Sequence, residues 1–139
     1  MNPKRLILAI IAVFIVVFAT NYVIHGIWLM ADYHATSSLW RTTEEMTRKL
    51  PWMFASEFLF SAVFVMLYAK GFADKRCITC AIMYGVFMGF FLESKDIITY
   101  VVTPLPSALA IKWIAAGLGQ TILMAIVVFF VYKPAPQKE

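Results

Sequence analysis

Hydrophobic residues run along this chain in four long blocks, near residues 6–30, 51–70, 77–102 and 106–132. Each block reaches the roughly 20 apolar residues that a helix needs to cross the hydrocarbon core of a bilayer. The pattern predicts an all-α fold, a four-helix transmembrane bundle forming one domain over residues 1–139, with little chain left for anything else. There is no tract for a soluble domain, no low-complexity segment and no internal repeat. The first block follows Lys4-Arg5, as a secretion signal would. It is longer than the roughly 7–15 residues of a signal core and no A-x-A site follows it, so a retained membrane helix is expected. The one sizeable connection, 36–50, holds Thr42-Thr43-Glu44-Glu45. Thr42 as N-cap with Glu45 three residues on is a capping box. It predicts a short interfacial helix in the first outer loop, ending before Pro51.

The polar positions inside the blocks carry the chemistry. An ionisable group in a membrane helix costs several kcal/mol unless paired or wetted, so it marks a candidate site. With helices alternating up and down, His25, Glu57, Glu93, Asp96 and Lys112 fall in one leaflet. Asn21, His25, Trp28 and Asp32 are spaced 4, 3 and 4, which places them on one helical face. Ser61 lies one turn deeper than Glu57. The third block contains Gly85-Val-Phe-Met-Gly89, a spacing that lets helix backbones approach closely. Glu93, Asp96 and Tyr100 continue the same stripe, so glycines that face protein turn the two acids inward as well. Lys95 is roughly 200° away from Glu93 around the helix and is expected to snorkel outward. In the fourth block Lys112 stands above Ala116, Gly119 and Leu123, which predicts a lysine that faces the bundle and neutralises Glu57, Glu93 or Asp96. Gly85, Gly89 and Gly119 are the expected packing glycines. Gln120 lies deeper, where its amide needs an interhelical partner.

The composition, 62% hydrophobic and 14% charged, agrees with a membrane protein, because a soluble domain carries about a quarter charged residues. Charge then orients it. The N-terminus, the 70–76 turn and the C-terminal tail hold seven cations against two acids, and the opposite side holds five against six. Lys and Arg accumulate on the cytoplasmic side, so both termini are expected inside the cell. The net charge of +4 is therefore a topology signal and implies no nucleic acid. Trp28, Trp40, Trp52 and Trp113 all fall at the expected outer interface, and Tyr68 and Tyr132 at the inner one, as aromatic belts do.

Other motifs narrow the choice. Cys77 and Cys80 form a C-x-x-C, which invites comparison with quinone-linked disulfide oxidases of the membrane. Those enzymes keep the pair on the oxidising side and exchange with a second pair. Here it sits at the expected cytoplasmic end, where thiols stay reduced, and the chain has no other cysteine. Haem between helices needs two axial histidines. His25 and His34 are nine residues apart and point in opposite directions on a continuous helix. A metal held by His25 with Glu93, Glu57 or Asp96 suits zinc, iron or manganese chemically, but no H-x-x-E, E-x-x-H or H-E-x-x-H spacing supports it. No phosphate-binding glycine loop and no nucleophile elbow occurs. The cofactor, if the protein uses one, is left open by these motifs.

The stretch His25-Gly-Ile-Trp-Leu-Met-Ala-Asp-Tyr33, followed by Ser38-Leu-Trp-Arg41, resembles small four-helix proteins of bacterial inner membranes that have no assigned activity. Tyr84-Gly85 and the proline turn before Trp113 are similar too. The resemblance implies the architecture and a bacterial inner-membrane location, and it singles out His25, Tyr33, Trp40 and Arg41; His34 joins Tyr33, Trp40 and Arg41 as an outer-loop candidate. It transfers no mechanism. Three functions compete. Small size and the absence of a catalytic motif favour a non-catalytic subunit or assembly factor, with other membrane subunits or a second copy as partner in the bilayer. The polar cluster also suits a homo-oligomeric carrier or channel for a proton, a metal ion or a small polar solute, dimerising through Gly85 and Gly89. An intramembrane enzyme would use His25 with Glu57 or Glu93 as acid and base, and would need an open cavity at His25.

Overall fold

The computed structural model describes residues 2–73 and 77–133. The charges counted at 74–76, and those of the tail beyond 133, lie outside them. Among the described residues the chain is helical, with no strand. Helix α1 runs over Pro3–Val23, opened by Asn2 as N-cap and Pro3 in the first turn, where a missing N–H costs nothing. A π turn, Ile24–Trp28, continues it. After Leu29 the chain resumes as α2 (Met30–Ala35), and then come α3 (Thr43–Gly71), α4 (Ile78–Val102) and α5 (Ser107–Val131). Four segments are long and apolar enough to cross a membrane: Pro3–Trp28, Thr43–Gly71, Ile78–Val102 and Ser107–Val131.

The capping box at Thr42 and Glu45 forms, with Thr42 N donating to the Glu45 carboxylate. The helix it opens does not end before Pro51. It runs unbroken through the proline to Gly71, and among the described residues the loop before it holds only a 3-10 turn, Ser37–Leu39. Pro51 deprives only the Thr47 carbonyl of its partner, and that turn is exposed on all sides, so the orphan oxygen stays accessible.

Helix α1 packs between α3 and α5, and α4 lies along α5. Lipid tails are as apolar as leucine, so close approach rather than escape from water drives this packing. Gly85 and Gly89 provide it. A Cβ on Gly85 would lie 2.8 Å from both the Ile122 Cα and the Thr121 carbonyl oxygen. One on Gly89 would lie 2.6 Å from Thr121 Oγ1. Both glycines are thus occupied inside the chain, which removes them as the expected dimer contact. Gly119 is a correction: nothing lies within reach of a Cβ there. The α5 glycine that faces α4 is Gly117, two residues away and so on the opposite side of the helix.

Two cores result. At the end where α1 begins, Ala9, Val13 and Val17 meet Phe64, Tyr68, Tyr84, Met124 and Val128, all buried. Tyr84 Oη donates to the Phe64 carbonyl at 2.6 Å, so that hydroxyl is satisfied across helices. At the other end a smaller core of Leu29, Leu105 and Leu109 lies beneath Tyr33, Trp40 and Trp113. We call this the tryptophan end. Here the first half of α3 is exposed along its length apart from Glu57.

Candidate functional site

The π turn positions the site. Its hydrogen bond from Leu29 N to the Ile24 carbonyl, 2.8 Å, spans five residues and widens the helix by one. Leu29, fully buried, is drawn into the second core. The rotation breaks the expected single face of Asn21, His25, Trp28 and Asp32. Trp28 turns outward, half exposed, while the other three point to three different partners.

Asn21 belongs to a relay across three helices. Gln120 Nε2 on α5 donates to Thr20 Oγ1 at 2.6 Å and to Asn21 Oδ1 at 2.8 Å. Asn21 Nδ2 in turn donates to Glu57 Oε1 on α3 at 2.8 Å. This is the interhelical partner that the half-buried amide of Gln120 requires. The second carboxylate oxygen of Glu57 is buried with no hydrogen-bond partner. Ser61 does not reach it and donates to the Glu57 backbone carbonyl instead.

His25 belongs to a second network. Its Nδ1 lies 2.5 Å from Tyr33 Oη, which also accepts a 2.9 Å hydrogen bond from Trp113 Nε1. An indole can only donate, so Tyr33 Oη accepts from Trp113 and keeps its own proton and a second lone pair on the side shared with His25 Nδ1. Trp40 closes the ring of aromatics. It stands edge-on to Tyr33 at 5.4 Å and tilted to Trp113 at 5.9 Å between centroids. Its Nε1 donates to Thr36 Oγ1 at 2.8 Å, which anchors it to the turn after α2. Burial holds the Tyr33 hydroxyl above its ordinary pKa, the Asp32 and Asp96 carboxylates act in the same direction, and the Trp113 hydrogen bond acts against them.

The acids of α4 complete the site. Glu93 is 8% exposed, and its Oε2 has no hydrogen-bond partner. It nests over Gly117, where any Cβ would overlap its carboxyl group. Asp96, one turn on, interacts with the same carboxyl. Lys95 is exposed, pointing away from both. Lys112 does not neutralise Glu57, Glu93 or Asp96 as its position in α5 suggests. Its Nζ binds both oxygens of Asp32, at 2.7 and 3.0 Å. The π turn and the break at Leu29 swing Asp32 over α5, where the lysine meets it first.

Two cavities flank this network. One, about 280 Å³, is lined by His25, Glu93, Asp96, Trp113, Gly117 and Gln120. The other, about 720 Å³, has Tyr33, Leu39, Trp40 and Trp113 as half-buried walls, with His34, Ser37 and Arg41 at its exposed rim. His25 and Trp113 line both. The tryptophans therefore divide. Trp28 and Trp52 face outward, and Trp40 and Trp113 form cavity walls. His25 and His34, expected to diverge, line one cavity because the helix between them is interrupted. No three His, Cys, Asp or Glu side chains among the described residues come together closely enough to hold a metal ion. The expected metal pair His25 and Glu93 therefore lacks a third ligand of these types. At the other end of the molecule Cys77 and Cys80 are not joined by a disulfide. Hydrogen bonds from the Cys80 side chain and backbone hold the Cys77 thiol below its ordinary pKa.

Electrostatically the smaller cavity is acidic, with Glu93 and Asp96 among its lining residues. The charges acting on His25 are Asp96 and Glu57, with Glu93 beside them. The lysine closest in sequence to Trp113 is committed to Asp32. A buried carboxylate without compensation costs several kcal/mol, and a bound cation or proton removes that cost. Searches with the sequence and the structure find no matching family model, curated protein or solved structure.

Proposed function

We propose that this chain is a multi-pass protein of a bacterial inner membrane, its termini cytoplasmic, that binds a small cation at its tryptophan end as a carrier does. One observation carries the reading. The buried Glu93 Oε2 has no partner in the protein, and its carboxyl group lines a cavity that also holds His25 and Asp96. Acids outnumber bases around this space, and the Gln120–Asn21–Glu57 relay fixes a third carboxylate from the far side. A cation of ammonium size fits the volume, and Trp113 in the wall adds an aromatic face to receive it. The protein in bilayer discs is expected to bind methylammonium. Glu93→Gln, which keeps shape and removes charge, lowers that affinity about tenfold or more, and Lys112→Met leaves it within about threefold. Equal calorimetric titrations of the parent protein and Glu93→Gln would refute the reading.

A second reading, a non-catalytic subunit of a membrane complex, draws on α3. Its first turns, Thr43–Leu50, are exposed and carry the Arg48–Glu44 ion pair beyond the apolar stretch, a handle for another subunit. Native mass spectrometry of a gentle membrane extract separates the two. A stoichiometric foreign subunit favours the second, and this chain alone or with copies of itself favours the first.

A further inference from the structure

The two cavities differ in chemistry but share two walls. The smaller is polar, with Glu93, Asp96 and Gln120; the larger is walled by Tyr33, Trp40 and Trp113. They share His25 and Trp113, and the hydrogen-bonded row Trp113–Tyr33–His25 runs along this common edge. We propose that together they form one two-compartment site for an amphipathic monoamine, its ammonium on Glu93 and Asp96 and its flat apolar body against Trp40, Tyr33 and Trp113.

This deepens the cation-binding reading and rests on it. The acidic cluster alone would not suffice. The second observation is the Glu93 oxygen, on a side chain more than nine-tenths buried, without a partner. The third is the aromatic arrangement. Three rings with centroids 5.4, 5.9 and 6.5 Å apart meet at different tilts. Rings set this way present faces and edges to a space between them, which suits an aryl group or the alkyl shell of an amine. They are locked in place, because Trp113 and Trp40 each spend their indole proton on a hydroxyl.

The charges also set direction. Arg41 and His34 stand at the exposed rim of the aromatic cavity, and the carboxyls stand in the polar one. A monocation is drawn inward ammonium-first, and a second ammonium at the outer end of the ligand would face Arg41. Selection is therefore for one positive charge with an apolar tail. The groove between α1 and α5, walled by Ala19, Val23, Gly119 and Leu123, is almost wholly apolar and touches the polar cavity at Gln120 and Ile24. It gives such a ligand a route from the lipid side.

The test uses three probes on the full-length protein in bilayer discs: phenethylamine, its uncharged counterpart phenethyl alcohol, and methylammonium. Calorimetry gives affinity, and tryptophan fluorescence reports occupancy beside Trp40 and Trp113. Phenethylamine is expected to bind about tenfold or more tighter than either fragment. Trp40→Ala lowers it to the level of methylammonium, and Glu93→Gln lowers it to the level of the alcohol. Trp40→Phe, which keeps a ring, retains part of the gain and separates a lost wall from a lost fold. If phenethylamine binds no tighter than methylammonium while methylammonium still depends on Glu93, the two-compartment site is wrong and the cation site stands. If neither amine binds, both proposals fall.

Discussion

The two ends of the bundle are built from the same helices by opposite rules. At the end where α1 begins, Ala9, Val13, Phe64, Met124 and Val128 have no exposed surface, and the Tyr84 hydroxyl is satisfied by the Phe64 carbonyl. At the tryptophan end the helix widens into a π turn, two buried carboxylate oxygens lack partners, and two cavities open. A protein selected for packing alone would not leave the second end this way. The close-packed end holds the helices in register, and that lets the other end carry unpaired charge and empty space.

The α4–α5 seam runs through both ends, so the same substitution can be placed in each. At Gly85 a new Cβ meets Ile122 and Thr121 backbone atoms, which cannot move without displacing a helix. At Gly117 the three nearest atoms it meets all belong to the Glu93 side chain, which has a cavity beside it. Gly85→Ala is expected to cost about 1–3 kcal/mol of stability, read by titration with a denaturing detergent. Gly117→Ala is expected to cost less than about 1 kcal/mol while displacing the carboxylate and weakening cation binding. Equal losses of stability at the two glycines would erase the distinction between the ends.

How much of this was readable beforehand follows the same division. Hydropathy and length carry the four membrane-length helices, because any backbone in lipid must satisfy itself within a helix. Helical arithmetic turns Gly85, Gly89 and Glu93 toward the protein, since α4 is regular throughout. Arithmetic fails wherever regularity does. The π turn has no sequence signature in Ile24–Trp28, and it redirects His25, Asp32 and Tyr33 together. Pro51 reads as a stop, but an exposed turn tolerates it. Gly117 and Gly119 are equivalent in sequence, and only the tilt of α5 against α4 selects the first. The aromatic walls come from three places, Tyr33 on α2, Trp40 in the loop and Trp113 on α5, and their meeting is a tertiary event that no local pattern announces.

The Asp32–Lys112 pair closes the tryptophan end, joining the segment after the π turn to α5, and its strength shows how rigidly that end is held. The side chains are 25% and 37% exposed, so solvent screens the attraction. A coupling of about 1 kcal/mol or less is expected from a cycle of Asp32→Asn, Lys112→Met and the double variant. The double variant should be more stable than the sum of the two single losses implies. Strict additivity would mean that the pair contributes nothing, and that Leu29 in its core holds the connection by itself.

Tyr33 gives the smallest effect and the most local one. Its folded pKa is raised, chiefly by burial, above the ordinary value near 10. The neutral phenol is therefore the form that the folded protein favours. Its contribution to stability is fully present below about pH 10, where folded and unfolded chains both hold the proton. It is lost as pH rises from there through the folded value, because the unfolded chain releases its proton first. The difference in tyrosinate absorbance between the parent protein and Tyr33→Phe isolates this residue among the six tyrosines. It should titrate above the ordinary range, and the variant should lose stability less steeply in alkali. An ordinary titration at Tyr33 would mean that water already reaches the Trp113–Tyr33–His25 row freely. The aromatic walls of the tryptophan end would then be an open surface, and the contrast with the packed end would rest on the carboxylates alone.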